Sequence, residues 1–393
     1  MENIKKIADD ELFKWMVDIR REIHQWPEKA FEERRTSELI SRRLNEIGIE
    51  HRTGIAVTGI LGRLAADKKA PTIALRADMD ALPVHEDTGL PFASKAPGLM
   101  HACGHDGHIA ILLGAAKILK AKPPKGNVVF IFQPAEEAGG GARPMIEEGV
   151  LEGVDIIFGG HIETHYKVGE IGIKRGVHTA YTDSIDIKIT GKGGHAARPQ
   201  EAVDAVVAAS HLIMSLQTIV SREVDPLYPS VITIGYMKAG TVSNAIAEKA
   251  VLKGTIRTIE TSVRARIVDK IKNTASSLSA LHNAKIDVRI NPGYPPVINS
   301  ERECKFAWDT AERLLGEKRV ISIPLPSLGG EDFAYYAQKI PGCFVRFGAA
   351  KQGCEDKASH SPQFDFDEEA LRVGAVYLSE LVRDAIEKLK QQN

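Results

Sequence analysis

Short continuous apolar runs alternate with helix-period segments along the chain, and this alternation limits the possible folds more than any other feature. The runs are of the kind found in strands buried on both faces; they are TIAL at 72–75, NVVFIF at 127–132, VDIIFGG at 154–160 and CFVRFG at 343–348. Amphipathic stretches at 11–48 and 107–120 lie around them. This order predicts an α/β protein with a mostly parallel sheet.

The pattern changes after about residue 182. SIDIKIT at 184–190 alternates strictly, with isoleucines on one face, as in a strand covered on one side only. The segments that follow predict, in order, a helix, two strands, a helix and a strand, at 201–220, 231–236, 250–258, 262–281 and 285–290. The order β-α-β-β-α-β is that of a ferredoxin-like unit. We therefore predict that 183–295 is a domain inserted into a larger one formed by 1–182 and 296–393.

Composition restricts the partners. Lys plus Arg (51) and Asp plus Glu (52) nearly cancel over 393 residues, so no strong field favours nucleic acid, and small molecules are the expected partners. The first residues lack the apolar core of a signal peptide, and no apolar run reaches the ~18 residues of a membrane span, which predicts a cytoplasmic protein without a membrane partner. The four cysteines have no disulfide-like spacing, which leaves Cys103 free to act as a ligand.

The segment MHACGHDGH at 100–108 concentrates three histidines, a cysteine and an aspartate. Side chains alternate in an extended segment, so His101, Cys103 and His105 are expected to share a face, and the last two could hold one metal ion or two adjacent ones. A thiolate beside an imidazole suits zinc and its neighbours among the transition metals. The alternative is a loop of solvated or hydrogen-bonded histidines with a small buried cysteine.

Further candidate groups follow other predicted strands, at the edge where open α/β sheets place their sites. Glu136 and Glu137 are adjacent, so their side chains diverge; one can hold a metal ion while the other acts as a general base on metal-activated water. His161 is a candidate ligand, whereas we expect His165 to be a bystander. For an isolated pair of glutamates, two solvated loop side chains remain the alternative.

Two polar loops add acids and one more histidine. Asp78 and Asp80 follow the strand at 72–75, either as ligands or as groups that orient a metal-bound histidine. His360 lies in a polar loop after the last apolar strand and predicts little when taken alone. Taken together, four strand ends that offer Cys, His, Glu or Asp are more than core packing or a solvated surface explains.

These segments resemble the M20 metallopeptidase family, specifically its amidohydrolase branch of aminoacylases, hippurate hydrolases, auxin-conjugate hydrolases and some thermostable carboxypeptidases. The similar motifs follow the family's order; they are RREIHQWPE (20–28), ALRADMDALP (74–83), MHACGHDGH (100–108), FQPAEE (132–137), GGH (159–161), GKGGHAARP (191–199), GTIR (254–257), GGEDF (329–333) and HSPQFD (360–365). The resemblance implies a catalytic α/β domain that holds two divalent metal ions, and an inserted lid domain that mediates dimerisation.

The resemblance also assigns roles to individual residues. The metal ligands that it implies are Cys103, His105, Glu137, His161 and His360. Glu136 takes the place of the catalytic carboxylate, with Asp80 as a second catalytic or orienting acid. His195 resembles a lid histidine that reaches the neighbouring subunit's active site and supports the oxyanion. Asn244 and Arg257 take the place of lid groups that meet the substrate carboxylate, although Arg257 could equally be a surface charge.

The resemblance implies a metal-dependent amidohydrolase that cleaves the amide bond of N-acyl amino acids, of the N-acetyl or N-benzoyl type, with Glu136 as general base. A carboxypeptidase or dipeptidase acting on short peptides is the alternative within the family. A metal-storing or sensing protein is the rival from another class, and the presence of Glu136 beside Glu137 argues against it. We expect the metal to be Zn²⁺, with Mn²⁺, Co²⁺ and Ni²⁺ as alternatives. We also expect a homodimer or higher homo-oligomer formed through the lid domain.

Overall fold

The computed structural model describes residues 2–354 and 357–392, and these contain ten α-helices and sixteen strands. The helices are α1 (Glu2–Ile7), α2 (Asp10–Gln25), α3 (Arg34–Ile47), α4 (His105–Ala121), α5 (Ala142–Glu147), α6 (Ala205–Thr218), α7 (Thr261–His282), α8 (Glu301–Leu315), α9 (Phe333–Ala337) and α10 (Glu369–Gln392). The strands are β1 (Glu50–Ile55), β2 (Gly59–Leu64), β3 (Thr72–Asp78), β4 (Asn127–Gln133), β5 (Ile156–Lys167), β6 (Ile171–Ile173), β7 (Gly176–Val177), β8 (Tyr181–Thr190), β9 (Gly194–His195), β10 (Ser230–Ala239), β11 (Ala245–Ile246), β12 (Lys249–Thr258), β13 (Lys285–Asn291), β14 (Ile298–Asn299), β15 (Val320–Ser322) and β16 (Gly342–Ala350).

The chain forms two compact units. Unit 1 contains Met1–His178, Val297–Leu325 and Asp332–Asn393, and unit 2 contains Thr179–Pro296 and Pro326–Glu331. The short return of the chain into unit 2 at Pro326–Glu331 was not part of the sequence-based division.

Unit 1 is built on an eight-stranded sheet with the order β1-β2-β4-β3-β5-β16-β6-β15. The pairs β3/β4, β3/β5, β5/β16 and β6/β15 are parallel, whereas β1/β2, β2/β4 and β6/β16 are antiparallel. Unit 1 has a hydrophobic core on each face of this sheet, and β3 contributes to both because the side chains of a strand alternate between faces. Ile73 and Leu75 pack in the larger core, and Ala74 packs in the smaller one. The predicted α/β class with a mostly parallel sheet is confirmed.

Helix α4 lies in the middle of the larger core of unit 1, and its first residue is His105. It begins directly after Gly104, which adopts a left-handed conformation (φ 88°) that glycine accepts without a steric penalty. At Gly107 the helix approaches the sheet closely, since a Cβ atom there would lie 2.4 Å from Ile162 Cδ1. The helix start is therefore fixed against β5, at the carboxyl ends of the parallel strands.

Unit 2 has the chain order β8-α6-β10-β12-α7-β13 and an antiparallel sheet with the order β10-β12-β8-β13. Ile185, Ile187 and Ile189 of β8 face the core that α6 and α7 cover. This arrangement confirms the predicted ferredoxin-like topology. A two-stranded ribbon, β9 with β11, extends from the same unit.

One segment of unit 2, Ala205–Glu223, is long and apolar enough by composition to cross a membrane, contrary to the expectation that no such run exists. Its inner face is nevertheless part of the unit 2 core through Ala208, Leu212 and Leu216, and Asp204 caps its first turn. The core helix of a globular unit meets the same compositional criterion. The segment is therefore only weak evidence for a membrane span.

Candidate metal centre

Cys103 and His105 lie at the start of α4, where the chain turns from a loop into a helix. The expectation of one extended segment is wrong, because His105 is already helical and Gly104 bends the chain between the two residues. His101 does not join them: it is buried and both of its ring nitrogens lack a hydrogen-bond partner. Burial lowers its pKa to about 3, so the ring is neutral.

Two histidines turn their Nε2 atoms toward the same small volume. His105 donates from Nδ1 to the backbone carbonyl of Asp80 (2.9 Å), and His161, on β5, donates from Nδ1 to the carbonyl of Ile162 (2.6 Å). His161 Nε2 then lies 3.2 Å from Cys103 Sγ. A carbonyl that accepts from Nδ1 leaves the Nε2 lone pair available, which is how metal-binding histidines are usually oriented.

His108 supports this arrangement, and the sequence analysis did not identify it. Its Nδ1 donates to Asp78 Oδ1 (2.6 Å), and its Nε2 accepts from the peptide N–H of Ile162 (2.9 Å). The other oxygen of Asp78 accepts from Arg76 (2.8 Å). Asp78 is thus occupied by protein partners, although it also lies in a possible ligand group with His105 and His108. The spacing of His105 and His108, one helical turn, was the available signal.

The turn after β4 presents Glu136 and Glu137, and buried carboxylates hold its backbone. Both oxygens of Asp80 accept from peptide N–H groups, one from Glu136 and one from Glu137, each at 2.9 Å. Glu33 accepts from the N–H of Ala135 (3.0 Å), a residue in the left-handed region at φ 56°. Each of these bonds is charge-assisted, so the direction of the two glutamates is fixed by the fold.

A third buried acid, Asp332, holds the base of the same turn. It accepts from the Gln133 side chain (2.8 and 2.9 Å), from Arg76 (2.7 Å) and from the N–H of Ala142 (3.0 Å). Asp332 lies in the GGEDF motif, for which the sequence suggested no contact, because its partners are about 190 to 256 residues away along the chain. Glu33 and Asp332 are site-forming residues that sequence reasoning missed.

All five implied ligands meet in unit 1. Three groups that contain at least two of these ligands have ligand atoms within 4.8 Å of one another; they are Cys103 with His105 and His161, Cys103 with Glu137 and His360, and His105 with Glu136 and Glu137. His360 Nε2 lies 3.2 Å from Glu137 Oε1, and its side chain is 54% exposed. His165 is not in any of these groups and pairs with Glu163.

The chemistry of these donors fits a divalent metal ion. Glu137 Oε1 is buried and forms no hydrogen bond of good geometry, although His360 Nε2 lies 3.2 Å away and ligand atoms of Cys103, His105 and Glu136 also lie close to this carboxylate. Burial, with the charges of His108 and Arg346, keeps the pKa of His161 well below its usual value, so that it is in the neutral form that binds metal. Burial raises the pKa of the Cys103 thiol, and a cation at this position would favour the thiolate.

The three lid candidates lie in unit 2. His195 and Asn244 are exposed and adjacent, since Ala245 pairs with His195 in the ribbon and Asn244 accepts from the N–H of Ala196 (3.1 Å). Arg257 lies on β12, half-buried, and burial lowers its pKa. Among the described residues no hydrogen bond joins Arg257 to the other two.

Comparisons with known proteins agree with this geometry. The model of the peptidase family M20/M25/M40 matches residues 74–384. N-acetyl-L-cysteine deacetylase of Bacillus subtilis is 42% identical over 94% of this chain and 88% of its own length. Thermostable carboxypeptidase 1 of Saccharolobus solfataricus is 38% identical over 96% and 97%. The crystal structure of the Bacillus subtilis YxeP protein, a dinuclear metal-binding peptidase from family M20, is 37% identical with a TM-score of 0.84 and covers 97% of this chain and 99% of its own.

The chain therefore belongs to the M20 peptidase family. Its relatives define it as a metal-dependent hydrolase of amide or peptide bonds, with a small-molecule or peptide substrate.

Proposed function

We propose that the protein removes the acyl group from N-acyl amino acids, of the N-acetyl or N-benzoyl type, by hydrolysis of the amide bond. The position of Glu136 carries this proposal: it is buried, its N–H donates to Asp80, and a carboxylate oxygen lies within 4.8 Å of a ring nitrogen of His105 and of a carboxylate oxygen of Glu137. The deacetylase among its relatives supports the same reaction class.

Cys103, His105, Glu137, His161 and His360 would hold two divalent ions, with Zn²⁺ as the first choice for a set of thiolate, imidazole and carboxylate. A metal ion in such a site acidifies water and polarises the carbonyl of the substrate. Glu136 takes the proton from the attacking water and returns it to the departing amine. Asp80 orients Glu136 and Glu137 through their peptide N–H groups and His105 through its backbone carbonyl.

Unit 2 supplies the remaining groups of this proposal. His195 supports the oxyanion of a neighbouring subunit in a homodimer or higher homo-oligomer formed through this unit, in the cytoplasm. Asn244 and Arg257 meet the substrate carboxylate, for which a guanidinium is well shaped. Mixing His195→Ala with Glu136→Ala chains tests the sharing, because subunit exchange should restore activity only if one subunit completes the other's site.

A second function is action as a carboxypeptidase or dipeptidase on short peptides, because two relatives from Saccharolobus solfataricus are named thermostable carboxypeptidases. Release of free amino acid from matched N-acetyl, N-benzoyl and dipeptide substrates separates the two. We expect kcat/KM to be at least about tenfold higher for an acylated amino acid than for a dipeptide with the same carboxy-terminal residue. The opposite ranking would establish the peptidase, and no hydrolysis at all would favour metal storage or sensing.

A further inference from the structure

The guanidinium of Arg346 lies beside the candidate metal centre and has no acidic partner among the described residues. Arg346 lies on β16 in parallel register with His161 of β5, so the two side chains leave the same face of the sheet on neighbouring strands. It is half-buried, and no acidic side chain among residues 2–354 and 357–392 forms an ion pair with it. Nothing in the proposed mechanism uses it.

Other side chains place this guanidinium in a confined environment. Arg346 lies over the ring of Phe344 (5.8 Å to the centroid), and the ring of His178 packs edge-on against the same phenylalanine (6.0 Å). On the other side, Gly172 leaves room, since a Cβ atom there would lie 3.2 Å from Arg346 Cβ and 2.9 Å from Tyr166. We call His161, Tyr166, His178, Phe344 and Arg346 the Arg346 cluster.

Within the cluster, Arg346 is the charged group and no acidic side chain of the described residues forms an ion pair with it. His178 is 2% exposed and neither ring nitrogen has a hydrogen-bond partner; burial, with the charges of Arg346 and Lys174, keeps its pKa well below the usual value. The nearby acids have other partners: Glu163 pairs with His165, and Glu170 accepts from the N–H of Lys167 (2.9 Å). A half-buried guanidinium without an acidic partner among the described residues is stabilised when an anion binds beside it.

We propose that the Arg346 cluster is a subsite for a carboxylate of the substrate, in which the Arg346 guanidinium binds the anion and His178 lines the subsite. The inference rests on the proposed function and adds a substrate class to it. The carboxylate has three possible sources, which share this chemistry: the α-carboxylate, which Arg346 would then meet in place of Asn244 and Arg257, the side chain of an acidic amino acid, or a dicarboxylic acyl group. A planar guanidinium beside an aromatic ring suits any of them.

Matched substrate pairs separate the three sources. N-acetyl-methionine is compared with its amide, N-acetyl-glutamate with N-acetyl-glutamine, and N-succinyl-methionine with N-butyryl-methionine. For each pair the ratio of kcat/KM, charged over neutral, is measured in the native chain and in Arg346→Gln. A hydrogen bond to a charged group corresponds to roughly 10- to 100-fold in affinity. We therefore expect Arg346→Gln to lower the ratio by about that factor for at least one pair, and the pair affected identifies the source of the carboxylate.

Arg63→Gln is the matched control, because Arg63 is an exposed arginine on β2 of the same sheet; its ratios should equal those of the native chain. Arg346→Lys keeps the positive charge but lacks the planar guanidinium, so its ratio should lie between those of the native chain and Arg346→Gln. This variant keeps the test decisive if Arg346→Gln folds poorly. Ratios unchanged by Arg346→Gln in all three pairs, or an equal loss on charged and neutral members, would overturn the subsite. If the native chain hydrolyses no substrate, the proposed function itself fails, and the subsite fails with it.

Discussion

Glu136→Gln is expected to lower kcat by about 10²- to 10⁴-fold while the metal content stays that of the native chain. Glutamine has the same shape, so the peptide N–H of residue 136 keeps its bond to Asp80, but the side chain no longer accepts a proton. Steady-state hydrolysis of an N-acyl amino acid, together with elemental analysis of the same preparation, measures both quantities.

The adjacent residue provides the control. Glu137 lies in the groups with Cys103, His360 and His105, so Glu137→Gln should lose metal as well as activity. Adding metal should restore Glu137→Gln in part and leave Glu136→Gln inactive. Turnover close to native in Glu136→Gln, at normal metal content, would remove Glu136 from the role of general base.

Arg20→Met is expected to lower the free energy of unfolding by about 3–5 kcal/mol, the usual effect of removing one partner from a buried ion pair. Arg20 is 1% exposed and contacts three acids, at 3.1 Å (Asp106), 2.9 Å (Asp365) and 2.9 Å (Glu368). Methionine replaces the length of the side chain but leaves Asp106 and Asp365 buried with one partner fewer. Urea unfolding, followed through the shift of the midpoint, measures the change.

Arg21→Met is the matched control for that measurement. Arg21 is the next residue on α2, its side chain is 44% exposed, and it also pairs with Glu368. An exposed pair of this kind contributes about 0–1 kcal/mol. If Arg20→Met were no less stable than Arg21→Met, the buried charges around the start of α4 would not stabilise the fold as described.

Hydrophobic patterning predicted the mostly parallel sheet of unit 1 and the ferredoxin-like order of unit 2, because each strand and helix has a pattern that can be read within its own few residues. The strands at β3, β4, β5 and β16 and the order β8-α6-β10-β12-α7-β13 follow from runs and periods within a few residues. Local patterning was insufficient at His105, where a left-handed glycine starts a helix one residue after the cysteine loop. The membrane criterion met by Ala205–Glu223 has the same origin, since composition does not reveal which face is buried.

The candidate site was predicted from strand ends and family motifs, with Asp80 as a catalytic or orienting acid, whereas the partners of Asp80 and the roles of Glu33 and Asp332 were not predicted. Asp80 contacts a turn 56 residues away, Glu33 one 102 residues away, and Asp332 holds Gln133 across 199 residues. Such contacts depend on strand order, which no single motif encodes. The place of Arg346 beside His161 likewise required the β5/β16 register. His108 could have been predicted, because a helix over 105–108 places it one turn from His105.

The most direct test of the central claim, a metal-dependent hydrolytic centre in unit 1, is elemental analysis coupled to hydrolysis of N-acyl amino acids with and without chelator. We predict about two divalent ions per chain, loss of hydrolysis when they are removed, and its return when Zn²⁺ or Mn²⁺ is added. Hydrolysis that persists in the fully metal-free chain, or a chain that binds no divalent ion after reconstitution, would contradict the assignment of Cys103, His105, Glu137, His161 and His360.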